Sequence, residues 1–144
     1  MAQILDKPEY KHSGVAGVAV LRVAANGADA ETVTIGQDVY ELDRADNGVT
    51  AGRIAVTSQS DDTPAEITDA LVAAINASGT ENVVAVGVSD NDVHVFSAHA
   101  PGGDIVAGGD AITVSETLAG SNNVWDGAAV DGGKRWGTPP AMTF

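Results

Sequence analysis

The chain has 144 residues, 44% of them apolar and 4% aromatic, with 20 acids against 7 bases and a formal net charge of −13. That describes one soluble domain that builds its core without disulfides, since Cys is absent, and a chain of this size can bury roughly two-thirds of the surface its unfolded form exposes. No apolar run approaches the roughly 20 residues of a membrane-spanning helix, and a pI near 4.2 argues against bare nucleic acid, whose phosphates require clustered Lys and Arg.

The opening Met1-Ala2-Gln3-Ile4-Leu5-Asp6-Lys7 lacks the basic start and long apolar centre of a signal peptide, so synthesis and use inside a cell are expected. Residues 1–13, with Pro8, Tyr10 and Lys11, show no sustained periodicity and read as an extended N-terminal arm. Val15-Ala16-Gly17-Val18-Ala19-Val20-Leu21-Arg22-Val23 is almost continuously apolar, as in a strand buried on both faces or lying at an interface. Asn26-Gly27 supplies a turn. Thr32-Val33-Thr34-Ile35 and Val39-Tyr40-Glu41-Leu42 then read as alternating strands around Gly36-Gln37-Asp38, with Val33 and Ile35 on one face and Tyr40 and Leu42 on another. A polar loop over 43–48 precedes a short strand over 53–57.

Thr63-Pro64-Ala65-Glu66 carries the strongest local signal, a T-x-x-E capping box with proline at the first helical position. It predicts a helix over about 63–77 whose apolar face is Ile67, Ala70, Leu71, Ala74 and Ile75. Two strands, 83–88 and 93–96, flank Ser89-Asp90-Asn91-Asp92 as a hairpin, and a last strand runs over 112–118. Residues 119–144 are rich in Gly, Asn and Pro and read as an irregular tail. The expected fold is therefore α+β: a mainly antiparallel, β-rich domain over 14–118 with one amphipathic helix, an arm before it and a tail after it.

All seven bases are Lys7, Lys11, Arg22, Arg44, Arg53, Lys134 and Arg135, so nothing basic offsets the twelve acids between Arg53 and Lys134. Such a body is kept soluble by like charge, faces a basic partner, or is adapted to high salt. Catalytic and metal signals are weak. His94 and His99, with Asp92, Asp104 and distant His12, fall short of a zinc set, and Asp90-Asn91-Asp92 lacks the glycine and closing Glu of a calcium loop. The glycine pairs at 102–103 and 108–109 do not sit between a strand and a helix with a following Lys, and no serine lies in a G-x-S-x-G elbow. No cofactor, metal or catalytic residue is therefore assigned. The tail is the better lead, because Trp125, Trp136 and Phe144 are three of only six aromatics. Such rings plug the chain's own core or anchor it on another subunit. In the second case Tyr10, Lys11, Trp125, Lys134, Arg135, Trp136 and Phe144 are the partner-binding candidates.

The segment Thr32-Val33-Thr34-Ile35-Gly36-Gln37-Asp38-Val39-Tyr40-Glu41-Leu42-Asp43, followed by Thr63-Pro64-Ala65-Glu66-Ile67 and Ala73-Ala74-Ile75-Asn76-Ala77, resembles a domain recurrent in virion structural proteins of tailed bacteriophages. The resemblance covers roughly residues 31–97 as a pattern without invariant chemistry. Size, arm and aromatic tail are similar to capsid decoration (cement) proteins. The resemblance implies a non-enzymatic protein, made in the host cytoplasm and carried on the capsid exterior. There it binds the major capsid protein and stabilises the shell as a homo-oligomer, a dimer or trimer. A tail or head-fibre component has the same look. From other classes, a carbohydrate- or surface-binding module would use Tyr40, Trp125 and Trp136 for stacking, and an enzyme ranks third.

Overall fold

The computed structural model describes residues 14–15, 17–81, 83–97, 112–119, 123–130 and 134–135. In chain order the elements are β1 (Gly14–Val15), β2 (Val18–Arg22), β3 (Thr32–Ile35), β4 (Asp38–Asp43), β5 (Ile54–Thr57), α1 (Pro64–Ser78), β6 (Val83–Ser89) and β7 (Asp92–Ser97), then β8 (Ile112–Glu116), β9 (Val124–Trp125), β10 (Ala129–Val130) and β11 (Lys134–Arg135). The α+β, β-rich reading holds, but the strands divide among three sheets rather than one. A five-stranded sheet has the order β10-β8-β3-β4-β5, a four-stranded sheet the order β6-β7-β2-β9, and β1 pairs with β11 alone. Every pairing is antiparallel except β4 with β5.

The inward side chains of both large sheets and of α1 form one core. Val33, Ile35, Tyr40, Leu42 and Val56 come from one sheet, Ala19, Leu21, Val93 and Val95 from the other, and Ile67, Leu71 and Ile75 from the helix. Val33 with Ile35, and Tyr40 with Leu42, face inward as their alternation requires. Gly36 turns β3 into β4 at φ +58° and has no room for a Cβ against the Glu81 side chain. Parallel β5 follows β4 through a loop held by carboxylates. Glu41 accepts from the Thr50 amide and pairs with Arg53, and Asp43 accepts from the amides of Asn47 (3.0 Å) and Gly48 (3.3 Å). The turn expected at Asn26-Gly27 instead falls at Asp29-Ala30. There the Ala30 amide is fixed on the Leu42 carbonyl, and the Asp29 carboxylate accepts from the amides of Arg44 and Ala45.

Helix α1 starts where its capping box requires. Thr63 Oγ1 accepts from the Glu66 amide, and the Glu66 carboxylate accepts from the Thr63 amide at 2.8 Å. Those bonds to Thr63 hold the Glu66 carboxyl below its usual range. Ile67, Leu71 and Ile75 are buried and Ala70 and Ala74 are partly buried, which is the expected stripe. Thr63→Ala should cost about 1 kcal/mol and Leu71→Ala about 2–5 kcal/mol of unfolding free energy. Equal, negligible shifts of the urea midpoint would contradict this packing. The helix also covers the free edge of β6, where the Asn76 amide group donates to the Ala85 carbonyl and accepts from the Ala85 amide, both at 2.8 Å. A side chain thus stands in for a neighbouring strand.

The boundary drawn at residue 118 does not divide the structure. β9 pairs with β2, β10 pairs with β8, and the Asp126 carboxylate accepts from the Val20 amide at 2.8 Å. Asn123, 5% exposed, accepts from the amides of Ala24 and Ala25 and donates to the Ala119 carbonyl. A stretch rich in Gly and Asn builds structure here because its polar side chains bond backbone that no strand reaches. Residues 1–13 lie outside the described residues.

Candidate functional site

The short β1–β11 ladder joins the two ends of the chain. Gly14 stands opposite Arg135 and Val15 opposite Lys134. In an antiparallel pair with this register, the chain entering Gly14 and the chain leaving Arg135 attach at the same end of the ladder. Two of the seven partner-binding candidates, Lys134 and Arg135, are therefore on the strand beside the attachment point of the arm. Tyr10, Lys11, Trp136 and Phe144 lie outside the described residues.

Trp125 belongs elsewhere. It faces inward opposite Leu21 and is 7% exposed within the core, so as a partner anchor it is corrected to a core residue. The cause is parity: Val124 pairs with Arg22 on the outer face, and the next residue must point inward. Its indole Nε1 is buried with no hydrogen-bond partner among the described residues. Tyr40 is fully buried, and its hydroxyl donates to Asp38. Burial, with Asp38 beside it, pushes that phenol well above its ordinary range. Two of the three stacking residues proposed for a carbohydrate site are thus closed to a ligand.

The outer face of the four-stranded sheet is the surface that residue-by-residue motif reading missed. Its register aligns three rows across the strands: Val84, Phe96 and Val18; Val86, His94 and Val20; Asp92, Arg22 and Val124. Val18, Val84, Val86, Val88 and Val124 are the large apolar side chains exposed to solvent among the described residues, and all five lie on the strands of this sheet. Arg22 and Asp92 approach to 3.9 Å and cancel in charge. An otherwise acidic chain therefore carries one face whose centre is apolar and charge-balanced, with the exposed Asp126 carboxylate at its β9 edge, and contiguous exposed apolar surface marks an interaction site. The signal was present in sequence, since the run over 15–23 has no polar alternation. In the structure that strand is buried on its inner face only, with Val18 38% exposed on the other.

His94 shares this outer face with Asp92 and Phe96, and its ring lies 6.2 Å from that of Phe96. Among the described residues no group of three His, Asp or Glu converges as a metal site would require. His12, His99 and Asp104 lie outside the described residues. Asp90-Asn91 is the turn of the β6–β7 hairpin, with the Ser89 hydroxyl donating to Asp92 at 2.9 Å. Other acids hold backbone. Asp38 accepts from the Thr80 amide (2.6 Å), the Thr80 hydroxyl (2.7 Å) and the Glu81 amide (2.8 Å), joining the β3–β4 hairpin to the helix exit. No protein-family model matches the chain, and no curated protein matches it.

Proposed function

We propose that this chain is a non-enzymatic structural protein of a tailed-bacteriophage particle, a decoration protein that sits on the outside of the capsid and braces the lattice of major capsid protein. The observation that carries the reading is the meeting of the chain ends on the β1–β11 ladder. It supports a single contact region in which the arm, with Tyr10 and Lys11, and the tail, with Lys134, Arg135, Trp136 and Phe144, reach neighbouring capsid subunits from one point. The similarity of residues 31–97 to virion proteins supplies the class of partner. Binding assembled lattice in preference to free subunits stabilises the shell by mass action, so many weak copies suffice. The acidic body keeps the particle surface soluble.

Cosedimentation with isolated capsids tests this. The intact chain should pellet with capsids. Deleting residues 1–12, or introducing Trp136→Ala, should weaken pelleting while leaving the unfolding midpoint nearly unchanged. A large loss of stability with capsid binding intact would place the ends in the chain's own core and the contact elsewhere. Pelleting with isolated tails and not with capsids would make the protein a tail or fibre component.

A further inference from the structure

A sheet face that no described residue covers costs solubility unless something occupies it, and the charge pattern on this one selects the occupant. Arg22 on β2 and Asp92 on β7 lie in one row, on adjacent strands, with apolar side chains filling the rows beside them. We propose that two copies of this chain pair face to face through the outer surface of the β6-β7-β2-β9 sheet. The two-fold axis runs parallel to the strands, between β7 and β2.

That operator keeps each row and exchanges the columns. Strand β2 of one copy then lies over β7 of the other, so Arg22 meets the partner's Asp92 and Asp92 meets the partner's Arg22. In the same register Val18 covers the partner's Phe96, Val20 covers the partner's His94, and Val124 on the outer column lies over β6 near the partner's Val88. In the two central columns every apolar position meets an apolar or aromatic one, and Arg22 and Asp92 are each paired twice, within the copy and across the interface; at the rim Val86 lies beside the partner's Asp126, whose carboxylate is held by the Val20 amide. This self-complementarity is what a closed two-fold contact requires. A two-fold perpendicular to the strands would lay the charged row on Phe96 and Val18. Strands about 4.8 Å apart and five residues long give a footprint of roughly 300 Å² per copy. That is small against the roughly 800 Å² per partner of a standard interface, so the dimer is concentration-dependent rather than permanent.

Sedimentation equilibrium of the intact chain over a concentration series tests the pairing, independently of any capsid. The mass should rise from 14.5 kDa towards twice that value. Val18→Lys, at a position 38% exposed in the single chain, should leave the circular dichroism unchanged and weaken pairing on the order of 100-fold by burying a lone charge against the partner's Phe96. The register is tested by mixing R22D with D92R. Each variant alone sets like charges against each other, whereas the mixed dimer pairs opposite charges at every such contact. The mixture should therefore dimerise on the order of tenfold more tightly than either variant alone. A monomer at all concentrations, a trimer, a dimer indifferent to Val18→Lys, or a mixture no tighter than its components would overturn the proposal. So would a monomer whose Val18→Lys variant no longer pellets with capsids, since the face would then belong to the shell.

Discussion

Trp125→Ala should lower the unfolding free energy by about 3–5 kcal/mol, because it empties the largest side chain from the end of the core closed by β9. Trp125 faces inward opposite Leu21 at 7% exposure. The indole Nε1 has no partner among the described residues, so truncation also removes an unsatisfied donor, and the loss should fall toward the lower end of that range. Urea unfolding followed by far-ultraviolet circular dichroism measures it. A midpoint within error of the wild type, together with lost capsid binding, would return Trp125 to the role of an external anchor.

Asp38→Ala should cost about 2–3 kcal/mol at neutral pH, since one 7% exposed carboxylate satisfies two backbone amides, the Thr80 hydroxyl and the buried Tyr40 hydroxyl. Burial pushes its pKa up, but the hydrogen bonds from Thr80, Glu81 and Tyr40 outweigh burial and hold it below the ordinary aspartate value. The folded pKa is thus below the unfolded one. The stabilisation is fully present above the unfolded value and is lost as pH falls through the folded value. Wild type and Asp38→Ala should therefore differ most above pH about 4 and converge in stronger acid. A difference that stayed constant into acid would mean that the Asp38 charge contributes nothing to the junction.

The parts of the fold legible in the sequence are those specified by local chemistry. The capping box fixed the start of α1 at Pro64, and period-two alternation placed Val33, Ile35, Tyr40 and Leu42 on the inner faces. The division into separate sheets was not legible, because β2 pairs with β7 across some seventy residues of sequence and only tertiary contacts choose that partner. Nor were β9 and β10, two residues each: β9 is flanked by Asn123 and Asp126, which bond distant backbone, and β10 is placed by its pairing with β8 rather than by strand propensity. Of the candidate site, sequence supplied the composition of the ends, and the ladder that joins them depends on a pairing between residues 14–15 and 134–135. The sheet face escaped for a different reason. An unbroken apolar run reads alike whether its second face is covered by the same chain or by another.

The acidic character also has a more specific use than solubility. Asp29, Asp38, Glu41 and Glu66 all have lowered pKa values and all accept from backbone amides in loops or at the helix cap. These four carboxylates are thus committed to holding loops and the start of α1.

Hydrogen exchange of the chain bound to intact capsids, compared with the free chain, tests directly whether the ends make the contact. Binding should add protection in peptides covering residues 1–15 and 131–144 and leave α1 and the β3–β4 hairpin unchanged. Added protection confined to the 44–53 loop or to α1, with both ends exchanging as in the free chain, would contradict it.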